Sequence, residues 1–309
     1  MIDMQMFDVV TVGHLAIDSI FLPDMQVPFV VLGGSATYAS FAARRLSASV
    51  SIVSKVGDDL PDAYVRWLEQ EGIDLSRLTR IEGAETTRFE IKYSDDLASR
   101  DLRLKSKAPP ITGDDLPSSL NAKAVHVAPI AGEISYDVVE KLRASADVLA
   151  LDPQGLLRNF NNDGSVSYGS LLDKRFLESV DVYKSSSDEI KVATGLSNLD
   201  SALRAVHRCG VKTVIVTLGM KGAVLSLEGC VCNVPAYKSD KVVDPTGAGD
   251  VFMGGFLAEY VRGKDPFWCV CVGSAAASLV VETVGPRFSG DKKEIYHRAR
   301  LLYEKEIKR

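Results

Sequence analysis

Val242-Val243-Asp244-Pro245-Thr246-Gly247-Ala248-Gly249-Asp250 runs straight into the apolar stretch Val251-Phe252-Met253-Gly254-Gly255-Phe256-Leu257-Ala258-Glu259-Tyr260. The small residues Gly247, Ala248 and Gly249 stand where a turn enters a helix. Backbone N–H groups at a helix start lack intrahelical partners, and the helix dipole favours negative charge there, so this turn reads as an anion hole. The same residues also suit a plain strand-to-helix turn, with Asp250 complementing the dipole and the glycines only tightening the bend. The flanking acids Asp244 and Asp250, together with Thr246, weigh towards chemistry.

Working outward, short β-rich runs recur at Phe7–Val12, Val50–Val56, Ala124–Val127, Val148–Leu151, Val180–Tyr183 and Thr213–Leu218. Most are apolar without alternation, as in strands covered on both faces of a parallel sheet. Helical stretches lie between them at Ala36–Leu46, Asp62–Gln70, Tyr136–Ala144 and Leu199–Cys209. This βαβα order predicts a doubly wound, mainly parallel α/β sheet flanked by helices, with ligands at the carboxyl ends of its strands. One segment departs from the rhythm. Arg88, Glu90 and Lys92 alternate with Phe89, Ile91 and Tyr93, a turn-rich Ser94–Ser99 follows, and Asp101–Lys105 alternates again. Such alternation marks strands with one wet face. Residues 86–107 and the extended residues 17–31 are therefore expected to form a small antiparallel β lid on a single domain spanning 1–309.

The chain has 309 residues, 46% hydrophobic and 25% charged, with 36 Lys plus Arg against 41 Asp plus Glu. That composition excludes disorder, collagen-like repeats and coiled coil. The net charge of -5 favours neither nucleic acid nor an anionic membrane surface, both of which recruit clustered basic residues. The start MIDMQMFDVV has acids where a secretory leader is basic, and the apolar run Cys269–Val281 is shorter than a membrane span, so a cytoplasmic protein is expected. Five cysteines, without a C-x-x-C pair, suggest neither a disulfide framework nor a zinc site.

DPTGAGD at 244–250, the glycine pair Gly33-Gly34 far upstream, and Thr217-Leu218-Gly219-Met220-Lys221-Gly222 together resemble the ribokinase-like (pfkB) carbohydrate kinase family, in the family's order and across essentially the whole chain. The resemblance implies that Asp250 takes the proton from the acceptor hydroxyl, and that Gly247, Ala248 and Gly249 stabilise the transferring phosphoryl of ATP. This agrees with a reaction governed by positioning and charge stabilisation. A first-turn aspartate is expected to stay ionised and so to be a weak base, which suffices if the proton moves late. The resemblance also places Thr217, Gly219 and Gly222 near the ATP phosphates, and Ser274 and Ala277 beside adenine. Glu189 is implied to hold hydrated Mg2+, with Ser186 where the family has asparagine; Ser186 or Ser187 as a simple helix cap is the alternative. A monovalent cation, K+, is implied beside Asp244 and Thr246.

For the acceptor, the resemblance points to Asp18, Gly33 and Gly34. A carboxylate accepts two hydroxyl hydrogen bonds, and glycines let a ring lie against backbone. Tyr38 stands where many members carry asparagine. Asp152-Pro153-Gln154-Gly155-Leu156-Leu157-Arg158 follows a strand, so Gln154 and Arg158 are expected at the functional edge, contacting hydroxyls or phosphate; a solvated Arg158 beyond an ordinary turn is the alternative. Archaeal-type and plant inositol kinases look similar around Gly33–Thr37 and 152–158, which makes myo-inositol the favoured acceptor. Fructose, ribose, ketodeoxygluconate or a nucleoside is the alternative within the family, and a non-catalytic sugar-binding regulator is the remote one. Lys55–Asp59 reads as a structural turn. His14 and His126 are expected at sheet edges within reach of the cleft, His207 and His297 on helix surfaces, and Lys292–Arg309 as a solvated mixed-charge helix. No P-loop occurs, and Gly247, Gly249 and Phe252 fail the dinucleotide fingerprint. Monomer and homodimer are both compatible with exposed lid edges.

Overall fold

A computed structural model describes residues 6–117, 120–169, 171–239, 241–288 and 290–307. Val-, Ile- and Leu-rich segments supply the strands of a nine-stranded sheet: β1 (Phe7–Val12), β4 (Val50–Gly57), β5 (Ile73–Ile81), β8 (Ala122–Val127), β9 (Ala146–Leu151), β12 (Val182–Ser186), β13 (Thr213–Thr217), β14 (Ala223–Leu227) and β15 (Cys230–Val234). Their order is β15-β14-β13-β12-β9-β8-β1-β4-β5, parallel from β13 to β5, with β14 and β15 running antiparallel at one edge. The chain builds outward from β1 in one direction with β4 and later in the other with β8. The carboxyl ends of β1 and β8 therefore flank a topological switch point, where open α/β sheets form crevices.

Both faces of the sheet are covered, which explains the unbroken apolar strands. Helices α1 (Ser35–Arg45), α2 (Asp62–Gln70), α7 (Ala248–Tyr260), α8 (Pro266–Val280) and α9 (Lys292–Ile307) pack one core with side chains such as Ile52, Phe41, Phe256 and Val272. Helices α3 (Tyr136–Arg143), α4 (Lys174–Glu178), α5 (Ser187–Thr194) and α6 (Leu199–Arg208) close the other around Val10, Val125, Tyr183 and Val214. α7 and α8 are apolar on nearly every side because they lie inside the first core. No helix among the described residues is long and apolar enough to cross a membrane. The expectation of a solvated C-terminal helix is corrected: Ile295, Ala299 and Leu302 of α9 are buried against the core, an apolar stripe at helical spacing that the charged residues around it obscured. Lys308 and Arg309 lie outside the described residues, as do Met1–Gln5 of the acidic start.

Two excursions of the chain form the lid sheet, ordered β3-β2-β6-β7: β2 (Ala16–Phe21), β3 (Phe29–Gly33), β6 (Thr87–Tyr93) and β7 (Arg100–Ser106). The hairpins β2–β3 and β6–β7 are antiparallel, and a parallel pairing of β2 with β6 joins them. A short hairpin, β10 (Arg158–Phe160) with β11 (Val166–Tyr168), follows the turn at Gln154–Leu156. It touches the lid, because the Leu104 N–H donates to Gly164 O at 2.8 Å.

The expected reach of His14 and His126 into the cleft is corrected as well. His14 is fully buried at the end of β1, where Nδ1 and Nε2 bond Thr87 Oγ1 (2.9 Å) and Pro109 O (3.1 Å) and so tie the base of the lid to the sheet. His126 is sealed within β8, and burial pushes its imidazole down to about 3, so it stays neutral. A single sequence cannot tell a strand-end histidine that faces a helix layer from one that faces solvent. His207 is half-buried and links Val211 O to Ser226 Oγ, whereas His297 is exposed.

Candidate active site

A cavity of about 430 Å³ lies beneath the lid, over the carboxyl ends of β9, β12 and β13 and the start of α7. It is lined by Asp18 and Tyr93 of the lid, Gly34 and Tyr38 at α1, Gln154 and Arg158 after β9, Lys184 and Glu189 around β12, Thr217 and Gly219 after β13, and residues 245–250. The sequence candidates Asp18, Gly34, Gln154, Arg158, Glu189, Thr217, Gly219, Thr246, Gly247, Ala248, Gly249 and Asp250 thus meet in one space although they lie up to 232 residues apart in the chain. Gly33, Gly222, Asp244, Ser274 and Ala277 are not on its wall. Gly33 lies under the Asp18 carboxylate, where a Cβ would come within 1.9 Å of Oδ2. Gly222 turns against Val234 O, and the Ser274 hydroxyl donates to Pro235 O at 3.5 Å.

The turn into α7 is formed by Gly247 in the left-handed region, φ 74°. That conformation is costly for any residue with a Cβ, and a Cβ there would also strike the Tyr38 ring at 2.2 Å. Of the three N–H groups expected to serve an anion, that of Ala248 bends back to Pro245 O at 3.3 Å. Asp250 follows in the first turn. It is half-exposed to the cleft, yet the protein around it removes enough water to raise its carboxyl above the ordinary range. Lys184 pulls in the opposite direction, and the negative charge of Asp152 adds to the rise. Helix position alone suggested a weakly basic carboxylate; the tertiary surroundings raise its affinity for a proton.

Lys184 was not singled out from sequence as a site residue. Its Nζ pairs with Asp152 Oδ2 at 2.6 Å, both side chains almost wholly buried, and lies 2.8 Å from the position a Cβ on Gly249 would occupy. A cation is thus set against the anion-hole turn, with its ammonium form favoured by Asp152, Asp250 and Glu189 against the cost of burial. The signal was a lysine inside the apolar strand Val182-Tyr183-Lys184, which demands a buried counter-ion, and Asp152 at the neighbouring strand's end was available to provide it.

At the lid side, Asp18 is buried, its Oδ1 has no hydrogen-bond partner, and burial pushes its carboxyl up to about 7, opposed by Arg100 and aided by Asp250. The Tyr38 hydroxyl is likewise buried and unpartnered. Tyr93 closes the lid onto the loop before α7 through its hydroxyl and Thr246 Oγ1, 2.8 Å apart, and accepts from Arg100 Nη1 at 3.4 Å. Arg158 donates to Gln154 Oε1 and Ile130 O, each at 2.7 Å, so it is held in the site and not left in solvent. Ser186 caps α5 in a capping box with Glu189, whose Oε2 accepts the Ser186 N–H at 2.7 Å. Glu189 also lines the cleft, so capping α5 does not take it out of the cavity wall.

A half-exposed carboxylate with a raised proton affinity, a helix-start turn with a cation behind it, and residues with orphaned polar groups lining the same cavity are parts that hydroxyl phosphorylation can use. The description "pfkB family carbohydrate kinase" matches residues 6–293. A cytidine kinase of Thermococcus kodakarensis is 30% identical over 284 residues, covering 91% of this chain and 98% of the relative. An inositol 3-kinase of Arabidopsis thaliana is 31% identical over 290 residues, covering 91% and 76%. The solved structure of Arabidopsis thaliana ribokinase complexed with ribose and ATP superimposes with a TM-score of 0.77 at 21% identity, covering 96% of this chain and 99% of that one. The chain belongs to the pfkB family of carbohydrate kinases, with the ribokinase-like fold.

Proposed function

We propose that this kinase transfers the γ-phosphoryl of ATP to a hydroxyl of a small polyol, with myo-inositol as the favoured acceptor. The observation that carries the reading is that Asp18 and Tyr38, whose Oδ1 and hydroxyl are buried without hydrogen-bond partners, line the cavity that holds Asp250. Buried polar groups are ordinarily satisfied, and two orphans on a cleft wall await hydroxyls. A carboxyl near half-ionisation both donates and accepts, which suits a ring bearing hydroxyls on every carbon.

The acceptor oxygen attacks the γ-phosphorus as the bond to the β-bridging oxygen breaks. Asp250 receives the hydroxyl proton and ADP carries away the electron pair. Gly247, Gly249 and Lys184 face the charge on the transferring group, and Thr217 and Gly219 line the donor side. Mg2+ would be held by Glu189 through water and would neutralise the phosphates. One carboxylate fits a cation that keeps its waters and bridges phosphate oxygens. Asp244 Oδ2, buried without a hydrogen-bond partner, fits a K+ position beside Thr246.

A nucleoside acceptor is the second reading. A cavity of about 410 Å³ between β7 and the β10–β11 hairpin shares Arg100, Leu102, Arg158, Tyr168 and Glu189 with the main cleft, giving room for a base beyond a sugar ring. Mg-ATP turnover measured on myo-inositol, ribose, fructose, 2-keto-3-deoxygluconate, cytidine and adenosine, with Asp250→Asn as control, tests both. Fastest turnover on cytidine or adenosine selects the second reading. No phosphorylation of any of them above the Asp250→Asn background overturns both.

A further inference from the structure

We infer that Gln154 is a positioning residue for the Asp250 base, clamped in turn by Arg158, and is not an acceptor-binding amide. The inference rests on the reading of Asp250 as the base. A glutamine amide has two N–H donors and a carbonyl oxygen with two lone pairs. Here both donors and one lone pair are engaged: Nε2 donates to Asp250 Oδ1 at 3.0 Å and to Ser35 Oγ at 2.7 Å, and Oε1 accepts from Arg158 Nη2 at 2.7 Å. The amide orientation follows from chemistry, since a guanidinium only donates and must therefore face the carbonyl oxygen.

Each neighbour is itself fixed. Ser35 opens α1, and its hydroxyl, which accepts from Gln154 Nε2, helps to lower the Asp250 carboxyl. Arg158 opens β10, donates to Ile130 O at 2.7 Å, and stands 5.9 Å from the centre of the Phe89 ring. The hairpin that begins at Arg158 is bound to the lid strand β7 through Leu104 N–H and Gly164 O. Gln154 therefore has no N–H left to give an acceptor without breaking a bond, and what those donors do is hold one carboxylate oxygen of Asp250 so that the other meets the hydroxyl. Donation to a carboxylate favours its ionised form. Ser35 and Lys184 act against the burial and the Asp152 charge that raise the Asp250 carboxyl, and the Gln154 donor is placed to act in the same direction.

The test is the pH dependence of kcat and of kcat/KM for the acceptor in wild type, Gln154→Ala, Gln154→Glu and Ser35→Ala, together with a carboxyl 13C NMR titration of Asp250 assigned through Asp250→Asn. Gln154→Glu preserves shape, so a folding failure of the alanine variant leaves the question answerable. Loss of the donor should move the acid limb of kcat, and the Asp250 titration, upward by about one pH unit in Gln154→Ala. A larger shift is expected for Gln154→Glu, where a second acid replaces the donor, and a smaller one for Ser35→Ala. Acceptor KM should stay within about threefold. An unmoved Asp250 titration in both Gln154 variants overturns the inference, as does a tenfold rise in acceptor KM with the acid limb in place, which is the behaviour of an acceptor ligand. Because the NMR titration needs no turnover, absence of kinase activity in the wild type removes the base reading without deciding the Gln154 contact.

Discussion

Lys184→Met removes the cation from a pair in which the lysine side chain is 5% exposed and the aspartate 0%. The methionine fills the same volume, so the loss is chiefly electrostatic. Asp152 is left buried without its partner, and stripping one member of such a pair costs about 3–5 kcal/mol. For a chain of this length the unfolding entropy near the midpoint is on the order of 0.65 kcal/mol/K, so Tm should fall by roughly 5–8 °C. Calorimetry of Lys184→Met beside Lys184→Met/Asp152→Leu measures this, and the double variant should regain more than half of the loss, because no stranded carboxylate remains. The kinetic consequence has its own sign. Lys184 is the strongest influence holding the Asp250 carboxyl down, so without it that carboxyl rises further and ionised base becomes scarcer at neutral pH. Turnover should fall most on the acid side of the profile and recover as pH rises. A single variant that melts within 1 °C of the wild type, with an unshifted pH profile, would refute the reasoning about both the pair and the base.

Asp250→Asn should fold and bind ATP while losing about 10²- to 10⁴-fold in kcat, the range ascribed to a positioned proton acceptor; calorimetric ATP binding with a coupled ADP assay checks it, and turnover within threefold of wild type removes the base. Asp18→Asn should stabilise the protein in one pH range only. The folded chain keeps the Asp18 proton to about 7 against 3.8 for the ordinary group, so its ionisation erodes stability as pH rises through that window, and the variant should gain up to about 4 kcal/mol above pH 7 and nothing below pH 4. Urea melts at pH 4 and 8 test this, and acceptor KM should rise in the same variant. Tyr93→Phe deletes the lid-to-loop bond at Thr246, worth about 1 kcal/mol, and should lower kcat/KM about fivefold with Tm little changed; unaltered steady-state kinetics would mean that this contact does not assist closure. Gly247→Ala combines left-handed backbone with a collision at Tyr38, and a variant that retains both Tm and kcat would contradict the strained turn.

What was legible in the sequence is what adjacent residues decide among themselves. The 244–250 run becomes a tight turn into a helix whatever the rest of the chain does, because left-handed backbone at Gly247 and open N–H groups at a helix start are local properties. The lid hairpin was equally plain, since alternation over Arg88–Tyr93 and Asp101–Lys105 leaves a strand with one wet face no other reading. The parallel sheet followed from apolar strands separated by helices. Tertiary structure alone decided the charges. Lys184 meets Asp152 across two neighbouring strands, Tyr93 reaches Thr246 over 153 residues, and Gln154 joins Ser35 to Asp250 from two other elements. A carboxylate's basicity depends on the water displaced around it and on charges a few ångströms away, whichever part of the chain supplies them. For that reason the sequence could single out Asp250 as the candidate base, whereas the rise in its carboxyl, and the amide bonded to it, emerged only when distant strands and the lid came together over the same cavity.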